Sequence, residues 1–229
     1  MKFLQPHAGW RRAVQRGQRW FGGVVHLLRG RGFSVDLLDL YYAVKPDPWG
    51  CQRSALEQRK YREILEMISP QRFANALEVG CGEGVFTSRL APRVGQLTAL
   101  DSSSVALQRA RSRIDSPKVH WLQADLSVGF AGEEFDLILA CEVLYYLGQP
   151  SQIEKVARCL TDRLQQGGEL VLCHMRTRFD DEQGFPIPRW IPPHVGARTI
   201  HGIFESLPDL EKLEEVVDPL YRIGRYRRV

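Results

Sequence analysis

Residues 76–84 read Ala76-Leu77-Glu78-Val79-Gly80-Cys81-Gly82-Glu83-Gly84. A short apolar run of strand character, interrupted by one acid, passes directly into glycines at alternate positions. Glycine lets the backbone take positive φ in a tight strand-to-helix turn and approach a ligand closely. Read outward, the chain alternates. Gln96–Leu100 is a second strand ending at Asp101, followed by a helix over Ser103–Ile114. Val119–Ala124 is a third strand, ending at Asp125. Phe135–Ala140 is a nearly continuous apolar run, the signature of a strand buried on both faces of a parallel sheet. A helix over Gln152–Leu164, a tight turn at Gln166-Gly167-Gly168 and a strand over Glu169–His174 follow. Between the first two strands, Val85–Ala91 reads as a helix that Pro92 ends.

Strands alternating with helices predict a doubly wound α/β sheet in three layers, with right-handed crossovers placing helices on both faces. Upstream, Ser54 and Glu57 have the spacing of a capping box. The helix they open carries Leu56, Tyr61, Ile64, Leu65 and Ile68 at helical spacing and stops at Ser69-Pro70. Downstream, a proline-rich insert occupies 176–197. A helix over Ala197–Leu207 then leads to two closing strands, Leu213–Val217 and Leu220–Tyr226. The first fifty residues read as a basic arm, with short helices over Trp10–Arg19 and Phe33–Tyr42 and a rigid turn at Lys45–Gly50. Two units result: an arm or lid over 1–50 and an α/β domain over 51–229.

The 229 residues are 44% hydrophobic and 25% charged, enough for a sizeable core and unlike a disordered chain. The net charge of +4 is unevenly spread: residues 1–35 contain seven bases and no acid, and Arg222, Arg225, Arg227 and Arg228 lie in the last nine. The body between these basic ends is acidic, which does not suit a nucleic-acid protein. No apolar run is long enough for a membrane span, and no apolar stretch follows Lys2 as in a secretory signal. The acid-free start resembles a transit peptide in composition, but a true N-terminal arm is preferred. The five cysteines are odd in number and lack a C-x-x-C spacing, so neither a disulfide framework nor a structural zinc site is expected. No histidine spacing suggests a metal ligand. A cytoplasmic location is expected.

In an open α/β sheet, ligands bind beyond the carboxyl ends of the strands. Four consecutive strand ends here carry Glu78 with the glycines, Asp101, Asp125 and Glu142. Each is weak alone; in this order they predict an adenosyl-type ligand. A dinucleotide turn would read G-x-G-x-x-G, whereas here the third glycine comes one residue early, at Gly84. No P-loop lysine follows.

This pattern resembles motif I of the class I S-adenosylmethionine-dependent methyltransferases. The resemblance implies a seven-stranded Rossmann-like sheet closed by an antiparallel hairpin. It implies S-adenosyl-L-methionine as cofactor, S-adenosyl-L-homocysteine as product, and no metal. By position, Glu78 serves the methionine end, Gly80 and Gly82 pass beside the cofactor, Asp101 holds the ribose and Asp125 faces adenine, with Cys81, Ser102, Ala124 and Leu126 as further cofactor-binding candidates. Asp47-Pro48-Trp49, Glu57-x-x-Lys60-Tyr61, Cys141-Glu142-Val143-Leu144-Tyr145-Tyr146-Leu147 and Pro219-Leu220-Tyr221-Arg222-Ile223 are similar to the nodulation-protein-S-like branch, whose members N-methylate an amino sugar. Gly82-Glu83-Gly84 departs from that branch's more usual Ser-Ile-Gly. The resemblance lays the helix bearing Lys60 and Tyr61 over the cofactor, pairs Lys60 with the methionine carboxylate and closes the pocket with Trp49.

The expected reaction is methyl transfer to a nitrogen or oxygen of a small molecule. Glu142, His174 and Tyr146 are the catalytic candidates, with His201 as a further base. Glu142 has a competing role as a contact to the cofactor's amine. Ring faces favour a positive sulfonium, which suits Tyr145 and Tyr146. The alternatives are a nucleic-acid or protein methyltransferase using the basic arm, or a non-catalytic cofactor-binding module. The arm also offers a docking face for an acidic carrier protein.

Overall fold

The computed structural model describes residues 35–68, 72–130, 133–177, 181, 182, 184 and 195–229. The expected helix over Trp10–Arg19, the arm up to residue 34 and most of the proline-rich insert lie outside the described residues. Helix α1 (Val35–Val44) leads through a strap over 45–54 to α2 (Ala55–Ile68). Then follow β1 (Phe73–Val79), the single turn α3 (Thr87–Leu90), β2 (Val94–Asp101), α4 (Ser104–Arg113) and β3 (Val119–Gln123). The second half comprises β4 (Phe135–Cys141), α5 (Pro150–Asp162), β5 (Leu164–Met175), α6 (Ala197–Glu205), β6 (Leu210–Val217) and β7 (Tyr221–Arg228).

The seven strands form one sheet in the order β3-β2-β1-β4-β5-β7-β6. The first five pair in parallel; β7 runs antiparallel between β5 and β6. This is the predicted Rossmann-like sheet with its closing hairpin. The order reverses between β1 and β4, whose carboxyl ends therefore diverge into a crevice. Apolar side chains fill both sides. Ile64, Leu97, Leu137 and Val171 pack on the α2 face; Leu77, Ile138, Leu160 and Phe204 pack on the α5–α6 face. Leu137 to Ala140 are buried without alternation, as a strand covered on both faces requires.

Four local readings need correction. The helix expected over Val85–Ala91 is α-helical only at Thr87–Leu90 and tightens to a 3-10 turn at Ala91–Arg93, because Pro92 has no N–H to continue the ladder. The helix expected from Gln152 starts at Pro150, whose fixed φ suits a first turn. Gly167-Gly168 is not a turn ahead of a strand. It is a bulge inside β5, with Gly167 at φ +77°, and the register jumps from Phe135↔Leu164 to Leu137↔Glu169 across it. The capping box is half formed: Ser54 Oγ accepts the Glu57 N–H at 3.3 Å, but the Ser54 N–H donates to Gly50 O at 2.8 Å.

Helix α1 and the strap pack onto the sheet domain. Asp39 accepts hydrogen bonds from Ser103 Oγ and Ser104 Oγ at the start of α4. Towards the hairpin end of the sheet, Arg225 of β7 is clamped from within. Its Nε and Nη2 donate to the Glu169 carboxylate at 2.7 and 3.0 Å, and its Nη1 donates to Met67 O at 2.9 Å. Glu169 is 1% exposed. Without Arg225 the buried Glu169 keeps, among the described residues, only the part-exposed Arg227 guanidinium, whose Nη2 lies 3.2 Å from Oε1. Arg225→Met is therefore expected to destabilise the fold by about 3 kcal/mol, and adding Glu169→Met should recover part of the loss. Chemical denaturation of the two variants checks this; a double variant worse than the single would contradict it.

Candidate active site

The glycine turn after β1 is built by backbone. Gly80 N–H and Cys81 N–H both donate to Leu100 O, at 2.8 and 3.0 Å, so the turn is tied to β2. Gly80 sits at φ +75°, and a Cβ there would lie 2.6 Å from Val143 Cγ2 in the loop after β4. Only glycine meets both demands. Gly82 N–H donates to Asp101 Oδ2 at 2.8 Å, and Ser103 N–H donates to Asp101 Oδ1 at 2.9 Å. Asp101 thus braces the turn while retaining a further lone pair on each oxygen. Capping of α4 falls to Ser103, whose Oγ accepts Ala106 N–H at 3.1 Å.

Beyond these strand ends lies a cavity of about 290 Å³. Glu78 and the turn Gly80-Cys81-Gly82 form its floor. Asp101 and Ser102 line it from β2, Ala124, Asp125 and Leu126 from β3, and Glu142 from β4. Trp49 of the strap, Tyr61 of α2 and Tyr146 after β4 close it. Asp125 is exposed, its Oδ1 accepting Ser127 N–H at 2.8 Å. Trp49 packs against Tyr146 and Tyr41, with ring centroids 5.7 and 5.2 Å apart.

Three sequence candidates lie off this wall. Lys60 is 1% exposed and does not line the cavity; its Nζ is 2.7 Å from Glu57 Oε1 and 2.7 Å from Glu142 Oε1. Its charge is committed to two carboxylates of the protein. His174 and His201 are fully buried and also do not line the cavity. Burial pushes the His174 imidazole down to about 4. Tyr146 does line the cavity, but burial, reinforced by the Glu142 charge, raises its phenol above the ordinary tyrosine range. It is a neutral hydroxyl and a ring face, and no base.

Two carboxylates carry the site's electrostatics in opposite ways. Glu78 is 4% exposed, and burial pushes its carboxyl up to about 8. Its Oε2 has no hydrogen-bond partner among the described residues. An orphaned buried oxygen next to a glycine cradle fits an incoming ammonium such as that of a methionine tail. Glu142 is the reverse case. Burial alone would raise its carboxyl, but Lys60 foremost, with the Tyr145 hydroxyl donating to Oε2 at 2.7 Å, holds it below the usual glutamate value.

Sequence reasoning missed several wall residues. Glu57 reads as half of a capping box, but it lines the cavity and shares Lys60 with Glu142. Its signal was the Glu57–Lys60 spacing along one helix face. Glu83 looks like an intruder in the glycine turn. Its Oε1 accepts from Arg109 Nη1 at 2.7 Å and its Oε2 from the Asp47 N–H at 3.1 Å, so it pins the strap to the turn. Tyr42 and Met175 also line the cavity. Among the described residues, no group of three or more His, Cys, Asp or Glu is placed to hold a metal ion, and no helix is long and apolar enough to cross a membrane.

The sheet order, the glycine turn and the ordered strand-end acids define a class I S-adenosylmethionine-dependent methyltransferase. The sequence model of the family described as Nodulation protein S (NodS) matches residues 33–187, and the chain belongs to that family. It is 36% identical over 172 residues to Nodulation protein S of Rhizobium tropici, covering 73% of this chain and 68% of that protein. It is 34% identical over 190 residues to Nodulation protein S of Bradyrhizobium diazoefficiens, covering 82% of each. The crystal structure of N-methyltransferase NodS from Bradyrhizobium japonicum WM9 in complex with S-adenosyl-L-homocysteine is similar, with a TM-score of 0.71 at 28% identity, covering 83% of this chain and 98% of that one.

The Glu78 shift has a measurable consequence. The native state holds this proton from about 4.5, the unfolded value, up to about 8, so stability falls as pH rises through that window. His174, depressed from 6.5 to about 4, acts only on the acid side of 6.5. Between pH 6.5 and 8, wild type should therefore lose about 2 kcal/mol that Glu78→Gln does not lose. Urea titrations at the two pH values check this; parallel pH profiles for the two proteins would contradict it.

Proposed function

We propose that the enzyme methylates an amine nitrogen of a small molecule. One observation carries this reading: every Asp, Glu, Lys, Arg or His that lines the cavity is an acid. They are Asp47, Glu57, Glu78, Glu83, Asp101, Asp125 and Glu142; no Lys, Arg or His lines it among the described residues. Such a wall attracts a cation and repels a carboxylate or phosphate acceptor. The faces of Trp49, Tyr145 and Tyr146 favour a cation in the same space. The N-methyltransferase activity named for the structure from Bradyrhizobium japonicum supports the same choice.

The absence of a poised base among the described wall residues favours nitrogen over oxygen. A hydroxyl acceptor needs a general base to become nucleophilic. An amine reacts as its free base, which neutral water can supply. Glu142, kept anionic by Lys60 and fixed by Tyr145, orients the amine without taking its proton. S-adenosylmethionine, when bound, supplies a methyl carbon activated by a positive sulfonium. In this reading Glu78 receives the cofactor's ammonium, Asp101 its ribose hydroxyls and Asp125 its adenine amino group. The remaining work is alignment, holding the nucleophile about 3–3.5 Å from the methyl carbon and in line with the departing sulfur.

Formation of S-adenosyl-L-homocysteine should be followed across glucosamine, N-acetylglucosamine, simple primary amines, sugars and trans-aconitate. Turnover is expected with free amines and lost on N-acetylation; turnover confined to hydroxyl or carboxylate acceptors would overturn the reading. Glu142→Gln should lower kcat/KM for the active amine about 10–100-fold, the equivalent of roughly 1.4–2.8 kcal/mol, with its effect mainly in KM. An unchanged KM would remove Glu142 from the acceptor site.

A further inference from the structure

The loop after β4 carries Glu142, Tyr145 and Tyr146 to the cavity, in a conformation that needs support. Glu142 sits at φ +54°, a region that a residue with a Cβ rarely adopts. The 3-10 turn Leu144–Leu147 begins with an N–H that no residue of the turn itself can accept. Two groups at the end of β5 answer these demands. Cys173 O accepts the Glu142 N–H at 2.8 Å, and His174 Nε2 accepts the Leu144 N–H at 3.4 Å.

An imidazole nitrogen accepts only when it bears no proton. His174, neutral because burial holds its pKa near 4, therefore carries its proton on Nδ1. That nitrogen has no partner among the described residues. A second buried ring has the complementary arrangement. His201 Nδ1 lies 3.1 Å from Tyr226 Oη, and the Tyr226 hydroxyl donates to Glu205 Oε1 at 3.3 Å. One hydroxyl has one hydrogen, so His201 Nδ1 is the donor and Nε2 is a bare acceptor, without a partner among the described residues. The two rings stand 5.8 Å apart at 87°. Two adjacent buried rings thus hold a donor and an acceptor without partners among the described residues, and one water spanning them would satisfy both.

We propose that His174, as the Nδ1–H tautomer, is the positioning residue of the β4 loop, and that His201 fixes that tautomer through a bridging water. His174 is not a catalytic residue, because it does not touch the cavity; it acts through Leu144 on the placement of Glu142, Tyr145 and Tyr146. His201 acts one step further back, anchored by Tyr226 and Glu205. Loss of either ring loosens the wall that closes the cavity, without altering any group that lines it.

The test needs no acceptor, so it stands apart from the amine reading. A glutamine oxygen reaches about as far as Nε2, whereas leucine offers no acceptor. His174→Gln should bind S-adenosyl-L-homocysteine within about threefold of wild type by calorimetry. His174→Leu should bind at least about tenfold more weakly, and His201→Leu should weaken binding in the same direction. Long-range ¹H–¹⁵N spectra of wild type, with the His174 signals assigned by their loss in His174→Gln, should show the proton on Nδ1. A proton on Nε2 would overturn the proposal, because that nitrogen could not accept from Leu144. Equal cofactor affinity in the glutamine and leucine variants would overturn it as well.

Discussion

A carboxyl group buried at the end of the first strand, with one oxygen unserved by the described protein, is the constraint around which this site is organised. Leaving a buried acceptor without a partner costs about 1–3 kcal/mol, and a core position would not normally tolerate it. Glu78 occupies such a position at the point where the strand order reverses, beside a turn of glycines that lets the backbone come close. Burial answers the charge by raising the carboxyl to about 8, so it is largely protonated at neutral pH. The group is therefore poised to ionise when a cation arrives. This is the physical sense in which the pocket suits the ammonium of a methionine tail.

The other charges are arranged so that their effect falls on the cavity and not on the core. Lys60 pairs with Glu57 and Glu142 from behind the wall. Arg109 does the same for Glu83, which in turn fastens the strap that carries Asp47 and Trp49. Asp101 spends one lone pair of each oxygen on the glycine turn and the start of α4. The wall thus presents acids and no base, and Glu57, Glu83, Asp101 and Glu142 each have a protein partner, whereas Glu78 Oε2 has none among the described residues. Binding and stability draw on the same residues here, so substitutions at the strand ends should be judged by cofactor affinity and by unfolding together.

Much of this was legible in the chain. The strand ends could be read because local pattern sets them: an apolar run, then an acid or glycine, four times in succession. What failed to read depends on distance or parity. The sequence offers Lys60 to the cofactor because its partner Glu142 is 82 positions away. His174 reads as facing the cleft because strand β5 is apolar on both sides and offers no alternation to fix its facing. In the folded chain Leu170 and Leu172 share the α5–α6 face, whereas Met175 reaches the cavity. The bulge at Gly167 follows from pairing between β4 and β5, which the glycines permit but do not announce. Glu83 went unremarked as a brace because its work is done on a strap some thirty-six positions earlier.

The most direct test of the account is a crystal structure of the protein with S-adenosyl-L-homocysteine. The ligand should lie across the carboxyl ends of β1, β2 and β3, with its amino group supplying the missing partner of Glu78 Oε2 and its ribose at Asp101. A ligand bound elsewhere, or one that leaves Glu78 Oε2 without a polar contact, would contradict the claim that this buried acid organises the site.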